Sequence, residues 1–110
     1  LTEDTRGLIG QQELAVMKDD AVLLNGARGP VVDLDALADS LQKGQLAGAG
    51  LDVFPDEPFV EAHPISDCEQ VVMTPHAADQ TPEGVDLLNG GAVDNVIVFL
   101  EGRPQNNVAV

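Results

Sequence analysis

The spacing of apolar residues along the chain predicts alternating helices and strands. The stretch "GQQELAVMK" at residues 10–18 is typical of a short helix, and the apolar runs "AVLLN" at 21–25 and "AGAGLDVF" at 47–54 are typical of strands. "QVVMTP" at 70–75 predicts a third strand. Continuous apolar runs of this kind characterise parallel strands that are covered on both sides. We therefore expect the strand at 21–25 to be buried on both faces and the strand at 70–75 to be buried as well.

Two more helices are predicted by capping residues and by helical periodicity. Asp33 is a suitable N-cap for a helix that Gly44 is suited to end. The last helix is predicted from Thr81, its N-cap, to Glu101, with Pro82 at the first helical position. Apolar residues recur at helical spacing in both, at Leu34, Leu37, Ala38 and Leu41 in the first and at Val85, Leu88, Ala92, Val96, Phe99 and Leu100 in the second. Three prolines predict that residues 55–69 form a loop.

This order of elements predicts an α/β fold with about three parallel strands. In such sheets the groups that bind ligands lie outside the carboxyl ends of the strands. Arg28 comes just after the first predicted strand, and His76 comes just after the third. Asp52 lies near the end of the second strand and Glu57 follows it shortly afterwards. We therefore expect these four side chains to lie at one edge of the sheet.

Composition narrows the range of partners. The chain of 110 residues is one domain or part of one, and its 19 Asp and Glu residues against five Lys and Arg give a formal net charge of -14. Such a negative field makes nucleic acids and anionic membranes poor partners. No apolar run approaches the roughly 18 residues that span a bilayer. The single cysteine, Cys68, excludes an internal disulfide and fits a reducing compartment, so we expect a cytoplasmic protein.

The side chains at the predicted sheet edge suit proton transfer next to a bound carboxylate. A guanidinium can grip a carboxylate through two parallel hydrogen bonds, and a histidine beside a carboxylate can exchange a proton near neutral pH. Simpler interpretations remain for each residue. Arg28 could bind carbonyl groups at the strand end or pair with Asp33. Asp52 could cap its strand or contact a cofactor. His76 could be an ordinary turn residue, and Glu57 could be a solvated loop acid. His63, in "EAHP", is interpreted as a structural residue.

Three other motifs are rejected as ligand sites. "AGAG" at 47–50 leads into a strand, whereas a phosphate-binding glycine turn opens a helix. The pair Asp33 and Asp35 lacks the spacing of a calcium loop and is better explained by helix capping. Cys68 and the two histidines have none of the usual zinc-ligand spacings, so no metal site is expected.

Four stretches resemble consecutive signatures of one enzyme family. "LTEDTRGLIG", "LLNGARGPVVD", "LAGAGLDVFPDEP" and "VVMTPHAADQT" are similar, in order and spacing, to the D-isomer-specific 2-hydroxyacid dehydrogenases, which include D-lactate, glycerate, hydroxypyruvate, phosphoglycerate and formate dehydrogenases. The similarity extends over essentially all 110 residues. It implies a partial Rossmann-like, three-layer α/β/α domain, and an enzyme that transfers a hydride between NAD(H) and a 2-oxo or 2-hydroxy acid, with NADP as the other possible cofactor.

The resemblance also implies roles for individual residues. Arg28 would bind the substrate carboxylate and polarise its carbonyl, His76 would be the general acid and base, and Glu57 would be its carboxylate partner. The cofactor would lie against Asn25, Gly26, Ala27, Asp52, His76 and Ala78, with Asp52 near its nicotinamide end. Asp79 departs from the small residues that commonly follow the histidine, and it puts an extra charge near the acid and base.

Two expected parts of such an enzyme are missing from these residues. No G-x-G-x-x-G turn is present, and no acidic residue follows one at the spacing that selects the ribose. Residues 1–110 would then form the C-terminal part of a dinucleotide-binding domain, without its G-x-G-x-x-G half and without the substrate domain. We expect the isolated chain to be inactive. The alternative is a non-catalytic α/β module, and under either hypothesis the uncovered edge of the 21–25 strand predicts a homodimer.

Overall fold

The computed structural model describes residues 1–59 and 62–106, which fall into two compact units, Leu1–Ala77 and Ala78–Val110. In the first unit, helix α1 (Gln11–Ala15) precedes strand β1 (Val22–Asn25), and helix α2 (Leu34–Gln42) precedes strand β2 (Gly48–Leu51). Strand β3 (Val71–Met73) follows, and the second unit contains helix α3 (Pro82–Leu100). Short 3-10 turns lie at Glu3–Thr5, Gly29–Val31 and Pro64–Asp67. The predicted element order is therefore confirmed.

The three strands form one parallel sheet in the order β1-β2-β3. Leu23 of β1 is paired with Ala49 of β2, and Ala49 is paired with Val71 of β3. Because side chains alternate along a strand, these paired residues share one face of the sheet. The carboxyl ends of all three strands consequently lie at one edge, as the sequence predicted.

One face of the sheet packs against the helices of its own unit. Helix α2 inserts Leu37 and Leu41, each no more than 1% exposed, and α1 contributes Leu14 at 2%. The 3-10 turn at Pro64–Asp67 adds Ile65, which is fully buried, and these side chains join Leu23, Ala49 and Leu51 of the sheet in one core cluster. The core therefore anchors β1 and β2 from one side.

The expectation that β1 is buried on both faces and that β3 is buried is wrong for this chain. Val22, Leu24 and Val72 are 59%, 78% and 67% exposed. Their side chains point away from the face that α2 covers, and no element of the Leu1–Ala77 unit lies over them. The apolar runs identified the strands correctly, but burial on a second face needs a second layer of structure.

The predicted caps of α2 and α3 are confirmed, whereas α1 ends at Ala15 and is shorter than the predicted 10–18. The Asp33 carboxylate accepts a hydrogen bond from the Ala36 N–H at 3.0 Å, and Gly44 follows α2 with a left-handed φ of +68°. The Thr81 hydroxyl accepts one from the Gly84 N–H at 3.0 Å at the start of α3. None of the described residues of α3 is buried. None of the helices among the described residues combines the length and the apolar character of a membrane-spanning segment.

A close backbone contact joins the loop after β1 to the loop after β2. A Cβ atom at Gly29 would lie 1.9 Å from the carbonyl carbon of Phe54 and 2.1 Å from its oxygen. No side chain fits this space, because the obstructing atoms belong to the backbone. Glycine at position 29 therefore allows the two loops to touch.

We expect Gly29→Ala to lower the free energy of unfolding by about 1–3 kcal/mol or more, since the added methyl group must push two backbone segments apart. Gly26→Ala is the matched control, because a Cβ atom there meets nothing within 4 Å. Urea unfolding followed by circular dichroism measures both. Equal stability of the two variants would contradict the close contact.

Candidate active site

The loop that carries Arg28 is held by a buried amide side chain. Asn25, the last residue of β1, is 6% exposed. Its Oδ1 accepts a hydrogen bond from the Ala27 N–H and its Nδ2 donates one to the Arg28 carbonyl, both at 3.1 Å. Arg28 Nη1 in turn donates to the Ala27 carbonyl at 2.7 Å. One of the simpler interpretations, a guanidinium bound to a carbonyl, is therefore observed, whereas no Arg28–Asp33 ion pair occurs among the described residues.

The loop after β2 brings Glu57 to the turn that follows the third strand. Glu57 Oε1 accepts a hydrogen bond from the Phe54 N–H at 2.9 Å, which fixes the carboxylate against its own loop. The other oxygen, Oε2, lies 2.7 Å from Nδ1 of His76. The structure therefore brings together the two residues that the resemblance paired. Asp56, its acidic neighbour in sequence, does not make this contact in the described residues.

His76 lies in a turn with an unusual backbone conformation. Its φ is 54°, in the left-handed region that residues other than glycine rarely adopt. Such conformations cost of the order of 1–3 kcal/mol and persist only where neighbouring contacts enforce them. The turn follows the sheet directly, since the Thr74 N–H donates to the Leu51 carbonyl at 2.9 Å. His76 thus stands just past the carboxyl end of β3.

The contact with Glu57 determines which ring nitrogen of His76 can exchange a proton. An ionised carboxylate can only accept hydrogen bonds, so Nδ1 must carry the hydrogen in this pair. Nε2 is then left as the nitrogen that accepts or releases a proton. The His76 side chain is 44% exposed, which leaves room for a reactant to approach.

Glu57 is held in its ionised form. The hydrogen bond from His76 lowers the pKa of Glu57, the hydrogen bond from the Phe54 N–H lowers it further, and the nearby charges of His76 and Arg28 act in the same direction. Partial desolvation opposes these effects without reversing them. The carboxylate is therefore available as an acceptor for His76 at neutral pH.

Arg28, Glu57 and His76 line one cavity of about 460 Å³. Its wall also includes Arg6, a residue to which the sequence analysis gave no role, and the other lining residues are Leu1, Gly29, Pro30, Phe54 and Pro55. No hydrogen bond or ion pair of the Arg6 side chain is found among the described residues. Two guanidinium groups, a histidine and a single carboxylate therefore face this space, although the chain as a whole is strongly acidic.

Asp52 borders a second, smaller groove at the same edge of the sheet. The groove has a volume of about 220 Å³ and is formed by strand-end residues, namely Leu24, Asn25, Gly26, Gly50, Leu51, Asp52, Val72 and Thr74. Asp52 is 8% exposed, and its Oδ1 accepts hydrogen bonds from the Thr74 hydroxyl at 2.5 Å and from the Ala77 N–H at 2.9 Å. The strand-end role that was one of its two interpretations is observed. Thr74 is a further residue that the sequence analysis missed.

The remaining predicted residues have simpler positions. Gly26 and Ala27 form the exposed turn after Asn25, and Ala78 is the first residue of the second unit. His63 caps the Pro64–Asp67 turn, with Nδ1 accepting from the Ile65 N–H at 3.1 Å and Nε2 lying 3.2 Å from the Asp35 carboxylate. The structural interpretation of His63 is therefore confirmed.

Comparison with known proteins identifies close relatives. Residues 1–78 match the family model described as "D-isomer specific 2-hydroxyacid dehydrogenase, NAD binding domain". The chain is 46% identical over 107 residues to glyoxylate/hydroxypyruvate reductase B of Pectobacterium carotovorum, covering 97% of this chain and 33% of that protein. It thus spans about a third of this relative.

Solved structures show the same similarity. An acyclic imino acid reductase in complex with NADPH and D-Arg superposes with a TM-score of 0.84 at 30% identity, covering 99% of this chain and 34% of that one. D-lactate dehydrogenase with NAD+ from Lactobacillus jensenii gives a TM-score of 0.75 at 30% identity, covering 100% and 37%. The expected Rossmann-like fold is confirmed by these neighbours.

The lowered pKa of Glu57 predicts a specific dependence of stability on pH. Because the folded pKa lies below the ordinary value of 4.5, the stabilisation by ionised Glu57 is complete above about pH 4.5 and is lost as the pH falls through the folded pKa. The stability difference between the wild-type chain and Glu57→Gln should therefore shrink on acidification below pH 4.5. Urea unfolding at several pH values measures it, and a carbon-13 titration of the carboxyl group checks the direction. A difference that is constant across this range would contradict the assignment.

Proposed function

The chain belongs to the D-isomer specific 2-hydroxyacid dehydrogenase family, and from this membership we propose that the protein containing it is an NAD-dependent oxidoreductase that interconverts a 2-oxo acid and a D-2-hydroxy acid. The observation that carries the proposal is the single cavity lined by Arg28 and by the Glu57–His76 pair. These groups provide one site for an acid's carboxylate and one for the proton of its hydroxyl.

In the proposed reaction, Arg28 binds and orients the substrate. Its guanidinium has five N–H donors, and the bond to the Ala27 carbonyl occupies only part of this capacity. The remaining donors can grip the carboxylate of a 2-oxo acid and polarise the adjacent carbonyl. The contacts from Asn25 hold the loop from which the guanidinium extends.

His76 transfers the proton. With Nδ1 held by Glu57, Nε2 donates a proton to the carbonyl oxygen when the 2-oxo acid is reduced and takes it back from the hydroxyl in the reverse reaction. Glu57 stabilises the charged ring and fixes its orientation, because its other oxygen is anchored to the Phe54 N–H. Arg28, His76 and Glu57 are thus the proposed catalytic residues.

The groove at the strand ends suits one end of a dinucleotide. Its lining is apolar at Leu24 and Val72, and Gly26 has no side chain, so a flat ring can approach the backbone closely. When bound, NAD(H) accepts or supplies the hydride. We propose that Asn25, Gly26, Ala27, Asp52, His76 and Ala78 form the nicotinamide end of its site. The solved relatives named above hold NAD+ or NADPH, and the proposal covers both dinucleotides.

Residues 1–110 account for only part of the proposed enzyme. We propose that residues 1–110 are the C-terminal part of the dinucleotide-binding domain and that the phosphate-binding turn and the substrate domain are needed for turnover. The names of the relatives favour small 2-oxo acids, such as glyoxylate or hydroxypyruvate, as substrates. The isolated chain is expected to be inactive, and its cytoplasmic location stays a prediction.

A homodimer is the second proposal, and it is favoured by the edge position of β1. Within the described sheet β1 has a neighbour only on the β2 side, and its Val22 and Leu24 side chains are exposed. An open apolar edge strand can pair with another chain. This proposal holds whether the module is catalytic or has lost catalysis.

The proposed function can be tested in a chimera. Replacing the matching third of the Pectobacterium carotovorum reductase with this chain should give an enzyme that oxidises NADH or NADPH with glyoxylate. His76→Gln should lower kcat by roughly 10²–10⁴-fold, and Arg28→Lys should mainly raise KM for glyoxylate. His63→Gln is the matched control, since the polar contacts of His63 are with Asp35 and Ile65 and it does not line this cavity.

A folded chimera that has no activity with the natural residues would contradict the proposed function and favour the non-catalytic module. Normal activity of His76→Gln would contradict the role of His76 alone. Near-ultraviolet circular dichroism and the size of the assembly establish that each chimera is folded.

The homodimer predicts a particle of twice the chain mass of 11.5 kDa in size-exclusion chromatography with light scattering. Leu24→Lys should shift the chain toward monomer, because a charged side chain on an edge strand opposes strand pairing. Val16→Lys is the control, since Val16 is 83% exposed and lies outside the sheet. If the wild-type chain is a monomer at high concentration, the proposed homodimer is wrong.

A further inference from the structure

The left-handed backbone of His76 must be enforced by contacts on both sides of it. The residue has a φ of 54°, and its own N–H donates to the Thr74 carbonyl at 3.1 Å, which closes a tight turn. This backbone bond alone does not determine where the ring points. An alternative extended conformation at His76 would satisfy ordinary steric preferences and would carry the imidazole away from Glu57.

A single carboxylate oxygen ties the two sides of the turn together. Asp52 Oδ1 accepts from the Thr74 hydroxyl, two residues before His76, and from the Ala77 N–H, one residue after it. Asp52 itself is firmly placed, because it is 8% exposed and its N–H donates to the Asn25 carbonyl at 3.0 Å. The turn is therefore anchored to the end of β2 across His76.

We propose that Thr74 is a positioning residue for His76, acting through Asp52. The Thr74 hydroxyl donates to Asp52 at 2.5 Å, and together with the Ala77 N–H it clamps the turn in the form that directs Nδ1 at Glu57. Thr74 need not touch substrate or cofactor for this role. Only the kinetic consequence of the inference rests on the proposed function, whereas the placement of the ring does not.

Thr74 is well suited to a selective test. Its side chain is exposed, so replacing the hydroxyl with a methyl group in Thr74→Val removes one hydrogen bond and empties no part of the core. Thr74→Ser keeps the hydroxyl and loses only the methyl group. Only Thr74→Ser can keep the hydrogen bond to Asp52. An effect that comes merely from changing the side chain at position 74 should appear in both variants.

The first measurement is nitrogen-15 NMR of the histidine rings in the 110-residue chain. In the wild-type chain and in Thr74→Ser we expect His76 to show hydrogen on Nδ1, as its contact with Glu57 requires. In Thr74→Val we expect the ring to sample both tautomers. The His63 ring, whose partners are Asp35 and Ile65, should be unchanged and serves as an internal reference.

Unchanged His76 ring signals in Thr74→Val would overturn the inference, and so would an equal change in Thr74→Ser. Thr74→Ala provides the same comparison if Thr74→Val does not fold, as judged by urea unfolding. A change in His76 confined to the variants that lack the hydroxyl would support it.

The second measurement is the kinetics of the same variants in the chimera. Thr74→Val should lower kcat by roughly tenfold to a hundredfold, as expected when an acid and base is misplaced by about 1 Å. KM for glyoxylate should stay within about twofold, since Arg28 is untouched, and Thr74→Ser should restore kcat. An unchanged kcat in Thr74→Val would overturn the kinetic role. An inactive chimera with the natural residues would count against the proposed function, and the NMR result would still decide the inference.

Discussion

The candidate site depends on backbone hydrogen bonds that continue the parallel ladder one residue beyond the strands. The Asp52 N–H binds the Asn25 carbonyl at the end of β1, and the Thr74 N–H binds the Leu51 carbonyl at the end of β2. Because of these two bonds, the loops after β1, β2 and β3 start side by side, at the spacing of neighbouring strands. Side chains that are far apart in sequence, such as Arg28 and His76, reach one cavity because their loops start from neighbouring points.

Buried polar side chains then hold these loops in fixed positions. Asn25 and Asp52 stand at the ends of adjacent strands, and each binds backbone groups of the loop that carries a reactive residue. A buried polar group is destabilising unless it is hydrogen-bonded. The hydrogen bonds that satisfy these two side chains therefore also restrain the loops of Arg28 and His76. The core beneath them, centred on Leu37, Leu41 and Ile65, keeps the base of the loops from shifting.

Much of this arrangement follows from local patterns in the sequence. The caps at Asp33 and Thr81 could be predicted because a side-chain oxygen before a helical run satisfies a free N–H. The convergence of Arg28, Asp52, Glu57 and His76 could be predicted from the rule for parallel sheets. The choice of Glu57 over Asp56 required the family resemblance, since both are loop acids with similar local surroundings.

Other features depend on atoms that no local pattern reveals. Contacts between separate loops produce the close approach of Gly29 to Phe54 and the left-handed conformation of His76. The residues next to Gly29 and His76 in sequence therefore do not reveal either feature. Thr74 belongs to a strand by pattern, and its importance is visible only once Asp52 lies beside it. The exposure of Leu24 likewise depends on what covers the sheet, which an apolar run does not specify.

The cavity's two guanidinium groups have a consequence for how an anion arrives. A chain with a net charge of -14 repels an approaching carboxylate at long range, while Arg6 and Arg28 attract it once it has entered the cavity. At physiological ionic strength, salt largely screens the repulsion at distances beyond the Debye length of about 8 Å. Charges in close contact are screened less. For the 110-residue chain, the encounter with such an anion should therefore be faster in moderate salt than in pure water, the reverse of the behaviour of a positively charged receptor.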